Sequence, residues 1–430
     1  GREAPAIATD SAAWSTAFRE LKKRFDFRWG GIDKSPKFVM PTVWQWLLRY
    51  HAATGSAEAL DMVTLTLKKM SQGGLYDQLA GGFARYSVDG EWYAPHFEKM
   101  LYDNAQLGAL YLRAARVLQR DDYRAVAVRT LDFMLREMRT ASGGFIAAFS
   151  ALVNQDVEGG YYLWSAAELE TLLDPAEREV YRRHAGMTDA PPFEPGWLPL
   201  AMNSVAETAA SLKREPAEVE RLLKSAQDKL LAARARRGLP RDTKVLAAWN
   251  GLALSALAEA VQGTNENRYR AAGQALRDVL AAGLWDGKQL VRSRVNGRAG
   301  GQVALEDYAY VARGLADWAQ ASGAPRDLAV ANAIAASAWR RFYGPKGWRL
   351  QEDSLLVAEG GQDVVNDGHL PSPSAVLIDT SLVIAAATKD TALRQQALSA
   401  ANSGHAVIES APFWHATTVA AQLRAAGVHR

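Results

Sequence analysis

Asp77, Arg85, Tyr86, Trp92, His96 and Asp103 fall within one stretch, GGLYDQLAGGFARYSVDGEWYAPHFEKMLYDNAQ at 73–106. Carboxyl groups, a guanidinium, an imidazole and aromatic rings together suit carbohydrate chemistry. Glycoside hydrolysis needs two carboxyl groups flanking the scissile bond, ~6.5–9.5 Å apart where a water must fit between them. Asp103 supplies one candidate; Asp307, or its neighbour Glu306, supplies the other. Burial against Trp or Tyr would raise one pKa and keep that group protonated as the acid. His96 is a further acid–base candidate. Arg85 and Tyr86 suit the hydroxyl or carboxylate groups of a substrate. Asp77, Trp92, Trp249 and Asn250 complete the expected binding set, the tryptophans as flat apolar platforms. Trp164, Trp197, Trp285 and Trp348 fall in similar loops. No metal and no cofactor enters this reading.

Each residue also has a plainer role open to it. Asp103 and Asp307 at helix starts can be caps. Glu98 can pair with Lys99 or Arg85. His96 can bridge two loops, Asn250 can brace neighbouring helices, and tryptophans are commonly core residues. Glu306 shares a face with Tyr310 and Arg313, which suits a bracing role as well as catalysis. The basic segment RLLKSAQDKLLAARARRG at 221–238 reads as a solvated outer helix.

The elements that must position these groups are helical. Asp103, Leu107, Leu110, Ala114 and Val117 form one stripe; Asn250, Leu254, Leu257 and Val261 form another; Asp307, Val311, Leu315 and Trp318 form a third. Three helices thus carry a polar residue at the N-terminal end of an apolar stripe. If they run parallel, these ends converge on one mouth. Between helix-patterned segments stand glycine–aromatic turns: WGGI (29–32), GGLY (73–76), GGFI (143–146), PGWL (195–198), WDGK (285–288) and PKGW (345–348). Six turns suit six helical hairpins, with small β-hairpins at one mouth, for example at 289–295 and 348–357. Plain αα turns with C-cap glycines are the alternative.

The 73–106 block resembles the signature of the thioredoxin-domain proteins related to spermatogenesis-associated protein 20. SPKFVMP (35–41), YYLWS (161–165), DTKVLAAWNGL (242–252) and LEDYAY (305–310) follow the same family pattern, so that the resemblance spans roughly 24–375. It implies an all-α (α/α)6 toroid similar to N-acylglucosamine 2-epimerases and six-hairpin glycosidases. The family's N-terminal thioredoxin domain is not expected in this chain, so a separate thioredoxin-like partner is conceivable. The chain departs from the pattern at FSALVNQDVEGG (149–160), where acidic residues are replaced, and at PSPSA (371–375), where an asparagine is lost. Val303 stands near the place of an epimerase histidine, which weighs against sugar epimerisation or isomerisation.

Composition narrows the rest. The net charge is only +3, from 50 basic and 47 acidic residues, which is too diffuse to argue for nucleic acid. The chain has no cysteine, so thiol nucleophiles, disulfides and zinc–thiolate sites are excluded. No apolar run approaches the ~18 residues of a membrane span. The expected organisation is an extension at 1–20 followed by one toroid at 21–430, a soluble protein of cytoplasm or periplasm. The expected function is a glycoside hydrolase-like activity on a sugar or small-molecule substrate. A toroid that binds a glycan or protein without catalysis is the alternative.

Overall fold

The computed structural model describes residues 11–153, 157–295, 298–345, 347–349, 367–403, 415–425 and 427. Helices dominate: α1 (Ser11–Lys22), α2 (Pro41–Thr54), α3 (Ala57–Gln72), α4 (Leu101–Leu118), α5 (Asp121–Phe133), α6 (Ala166–Leu172), α7 (Pro175–His184) and α8 (Val205–Leu212). They are followed by α9 (Pro216–Arg234), α10 (Ala247–Thr264), α11 (Asn267–Asp278), α12 (Leu305–Ser322), α13 (Pro325–Phe342), α14 (Pro373–Thr388), α15 (Thr391–Ser403) and α16 (Ala416–Ala425).

Six of these close a ring. α2 packs on α4, α4 on α10, α10 on α12, α12 on α14, α14 on α16, and α16 back on α2. α3, α5, α11, α13 and α15 each pair with the inner helix before them and form the outer layer. The sequences explain the layering. α10 and α14 bury residues on every side and carry almost no charge, so no face suits water. The outer helix α11 has a polar face and buries Tyr269, Ala272, Gly273 and Leu276 on the other.

The ring's two ends differ. At one, inner and outer helices join through short turns, with left-handed C-caps at Gly55, Gln119, Asn265, Gly323 and Lys389. Gln119, Asn265 and Lys389 hold that conformation without glycine's freedom, and each closes its helix by a backbone bond. At the other end lie the long connections that precede each inner helix. Short antiparallel strands stiffen this mouth: Lys37–Phe38 pairs Tyr86–Ser87, which pairs Pro95–His96. Lys99–Met100 pairs Ala148–Phe149, and Val245–Leu246 pairs Ser293–Arg294. The hairpin expected at 289–295 is present, Ser293–Val295 against Arg298–Gly300. The one expected at 348–357 lies mostly outside the described residues; its first strand, Gly347–Trp348, pairs Tyr343–Gly344.

Two readings of the sequence need correction. Residues 1–10 lie outside the described residues, but Ser11–Lys22 is no linker: Trp14, Phe18 and Leu21 repeat at helical spacing and are buried, and Phe18 stacks on Tyr50 of α2. The segment α6–α9 stands beside the ring and has its own apolar cluster around Trp164, Tyr181, Trp197, Val219 and Leu230. The basic helix α9 has the exposed face and the apolar stripe expected of it, but the stripe (Leu222, Leu223, Ala226 and Leu230) packs into this side cluster, and its Arg234 is only 3% exposed. PGWL at 195–198 belongs to this side layer, where Trp164 and Trp197 exchange backbone hydrogen bonds. No described helix is long and apolar enough to cross a membrane.

Candidate functional site

The loop 73–100 enters the ring through a turn built on Asp77. Its Oδ1 accepts from the Leu79 and Ala80 amides, and its Oδ2 accepts from Lys99 Nζ at 2.7 Å. Arg234 of α9 clamps both oxygens at 3.0 and 2.8 Å. Gly81 and Gly82 follow in left-handed conformation, and Lys99 Nζ also reaches the Gly81 carbonyl. The same turn occurs one hairpin earlier. Asp26 caps the Arg28 and Trp29 amides, holds Lys37 Nζ at 2.7 Å, and precedes left-handed Gly30 and Gly31. Burial opposes the charge on Asp77, but Arg234 and Lys99 outweigh it and hold the carboxyl far below its ordinary range. Asp77 is therefore a buried turn organiser, with both oxygens engaged by Lys99, Arg234 and backbone amides.

Asn250 is structural for a similar reason. Its side chain accepts from the Phe145 amide and donates to the Phe145 and Leu246 carbonyls, so it fastens the GGFI turn to the first turn of α10. Asn104 does the same in α4: it accepts from the Phe83 amide and donates to the Phe83 and Met100 carbonyls. Both are fully buried. Asn104 and Asn250 are thus counterparts, and Asp103 corresponds to Trp249. The stripe that began at Asn250 was one residue out of register with those at Asp103 and Asp307. Trp92 is likewise no platform. It is completely buried, donates from Nε1 to the Trp29 carbonyl, lies under Lys37, and leaves no room for a side chain at Gly31 or Gly73. Trp164, Trp197 and Trp348 pack on other side chains and backbone, and Trp285 meets Tyr308 in the first turn of α12 edge-on.

The remaining candidates gather at the mouth. The sheet register sets Phe38 beside Tyr86 and Tyr86 beside His96, with ring centroids 5.0 Å apart in both pairs. His369, which the sequence reading missed, continues this stack on Phe38 at 4.8 Å. Burial and the charge of Arg85 hold its imidazole below the ordinary value, so it is neutral near pH 7. Arg85 pairs with Glu98 at 3.3 Å, and His96 Nε2 lies 3.4 Å from the same carboxylate. His96 Nδ1 is 3.1 Å from Glu158.

Asp103 begins α4 just inside this cluster and is 1% exposed. Its Oδ2 has no hydrogen-bond partner among the described residues. Burial drives its pKa well above the carboxylate range, and nearby Arg85 only partly opposes this. That shift favours the neutral acid over the carboxylate. Tyr102, beside it, meets Trp249 of α10 edge-on at 4.8 Å, and burial raises its hydroxyl pKa too. Trp249 is the one expected platform that stands at the start of an inner helix.

Asp307 occupies the matching place in α12 and is equally buried. Its surroundings differ. Oδ2 accepts from the Ala304 amide at 2.9 Å and from Arg292 at 3.1 Å, and Oδ1 accepts from the Ala248 amide of α10 at 3.3 Å. Burial raises its pKa to about 7, against the pull of Arg292. Both oxygens are spent on capping and on joining α12 to α10. Glu306, half-buried, holds the other arm of Arg292 at 2.9 Å. Among the described residues, no three His, Asp or Glu side chains converge as a metal site.

The chain is 34% identical over 347 residues to spermatogenesis-associated protein 20 from Homo sapiens, covering 71% of this chain and 44% of that one. The corresponding protein of Mus musculus is 31% identical over 386 residues, with 80% and 48% covered. The chain thus spans about half the length of the curated relatives it matches. No protein-family model matches it. Among solved structures, a D-mannose isomerase superposes with a TM-score of 0.56 at 11% identity, over 92% of this chain and 86% of the other. An alpha-mannanase from Bacteroides thetaiotaomicron gives 0.53 at 12% identity, over 90% and 82%. An unsaturated glucuronyl hydrolase from a Bacillus species gives 0.50 at 15% identity, over 95% and 82%. The shared feature is the (α/α)6 toroid.

Proposed function

We propose that this chain, a homologue of spermatogenesis-associated protein 20 with the six-hairpin glycosidase-like fold, acts on a sugar at the mouth of its toroid, with Asp103 as the proton donor. The observation that carries this reading is the carboxyl of Asp103: buried, unpartnered at Oδ2, and beside Tyr102 and Arg85, with its pKa raised by burial. A neutral carboxyl group at neutral pH can give a proton to a departing glycosidic oxygen. Glu98, held by Arg85 and beside His96, is the better acceptor, because Asp307 has both oxygens engaged. In the proposed reaction Glu98 takes a proton from water, the water oxygen bonds to the anomeric carbon, and the leaving oxygen takes the proton of Asp103. The solved relatives named as sugar isomerase, mannanase and glucuronyl hydrolase share the scaffold, which supports a sugar as ligand.

The test is a panel of aryl glycosides and free sugars assayed with the wild type, Asp103→Asn and Glu98→Gln. Loss of an acid or base role should cost at least ~100-fold in rate. Free sugars belong in the panel because His96 and His369 stand on one aromatic stack, a pair that proton transfer between sugar carbons could use. Turnover that survives both substitutions would remove this assignment. A second reading, a mouth that binds sugar without turning it over, is favoured by the cations held on Glu98, Glu306 and Asp307. Saturable sugar binding with no turnover across the panel would select it.

A further inference from the structure

The toroid is not solid along its axis. Beneath the mouth a cavity of about 110 Å³ lies between the inner helices. It shares Gln45, Arg49, Arg113, Ser255, Arg313 and Asp317 with a chamber of about 650 Å³ toward the short-turn end. Neither is lined by Arg85, His96 or Asp103.

Their walls are rich in hydrogen-bond donors. Arg49, Arg113, Arg116, Arg313 and Arg424 line the chamber against the carboxylates of Glu259 and Asp317. Glu259 serves Arg113 at 2.8 Å and Arg116 at 3.2 Å. Asp317 serves Arg313 at 2.8 Å. Asp379 of α14 is shared by Arg313 and Arg424, which both contact it directly, and by Arg49, which lies 3.8 Å away. Arg49 is thus the weakly held member, and its other contact is the Ala420 carbonyl at 3.3 Å. Burial, with Arg424, Arg313 and Arg113 around it, lowers its guanidinium pKa to about 10. Neutral donors add to this. Trp46 Nε1, Thr42 Oγ1 and Ser255 Oγ line the upper cavity, and none has a hydrogen-bond partner among the described residues. Trp46 is 1% exposed and its indole can only donate.

Buried donors without acceptors and an excess of buried cations both carry a free-energy cost unless something supplies oxygen acceptors and negative charge. We infer that the axial chamber binds a small organic or inorganic anion, a phosphate or carboxylate group, held by Arg49 and Arg113 with Trp46 and Ser255 as neutral donors. This site is independent of the sugar reading at the mouth.

The test uses the whole purified chain, with calorimetric titration and thermal melting at constant ionic strength set by sodium chloride. Inorganic phosphate is one probe and glucuronate the other; the tighter of the two identifies the source of the anion. Saturable binding is expected, with a concentration-dependent rise in melting temperature. Arg49→Gln and Arg113→Gln should each weaken it at least ~10-fold, since charge-assisted bonds are lost, and Arg49→Lys should weaken it less. Arg124→Gln, at an exposed site, should leave it unchanged. No saturable binding of either anion to the wild type would overturn the inference, whatever the variants do. So would binding that survives both glutamine substitutions.

Discussion

Asp103 and Asp307 are the same residue type at the same place, the third residue of an inner helix, and each is 1% exposed. Their neighbours separate them. Asp307 meets two backbone amides and an arginine, and closes a capping arrangement. Asp103 leaves Oδ2 unpartnered and has Asn104 beside it to do the fastening. In α4 the brace and the acid are thus two residues, and the acid is free for chemistry. In α12 Tyr308 accepts from the Leu290 amide, and the acid itself is also engaged, joining α12 to α10. A buried carboxyl group tells of function only after its hydrogen bonds have been traced.

The comparison would break if carboxylates tied to cations proved dispensable. Asp77 is the strongest case. Asp77→Ala leaves Lys99 and Arg234 buried without their partner, and should cost about 3–5 kcal/mol of stability in a denaturant titration. A loss below about 1 kcal/mol would deny its role as turn organiser. The braces come next. Asn104→Ala and Asn250→Ala each strand a buried backbone amide and carbonyls, and should lower stability by similar amounts, about 2–4 kcal/mol. Markedly unequal losses would end their equivalence.

Smaller effects sharpen the contrast itself. Asp307→Ala should cost about 2 kcal/mol, a cap and an arginine contact, whereas Asp103→Asn should stay within about 1 kcal/mol of wild type while activity falls. The subtlest effect is on pH dependence. Burial raises Asp307 to about 7 in the folded chain, against about 3.9 when unfolded. Between those values the folded state binds more protons. The group's contribution to stability is therefore complete below about pH 4 and is lost as pH rises through about 7. Asp307→Asn should flatten the profile of stability against pH over that window. An unchanged profile would contradict the assigned environment.

Much of the ring was legible because its signals are local. Apolar periodicity marks α4, α10 and α12, and glycine pairs mark turns whose left-handed backbone few other residues adopt. The side layer α6–α9 was not, since an amphipathic helix reads alike whether it faces a ring or a neighbour. The one-residue error at Asn250 arose because Trp249 and Asn250 both lead apolar faces of a helix buried all round. A repeated spacing could have prevented the misreading of Asp77: DFRWGG at 26–31 and DQLAGG at 77–82 are the same turn twice, the first a loop that nothing suggested was a site. His369 gave no signal, because its place on Phe38 joins chain segments far apart in sequence.

The central claim is that Asp103 stands protonated at neutral pH and so can act as an acid. Infrared difference spectra between wild type and Asp103→Asn at about pH 7 test it directly, since the neutral carboxyl and the carboxylate absorb separately. The account predicts that the substitution removes a protonated-carboxyl band, and that this band persists in the wild type above about pH 6, well past the ordinary Asp range. A spectrum in which only carboxylate bands disappear would show Asp103 ionised, and would contradict it.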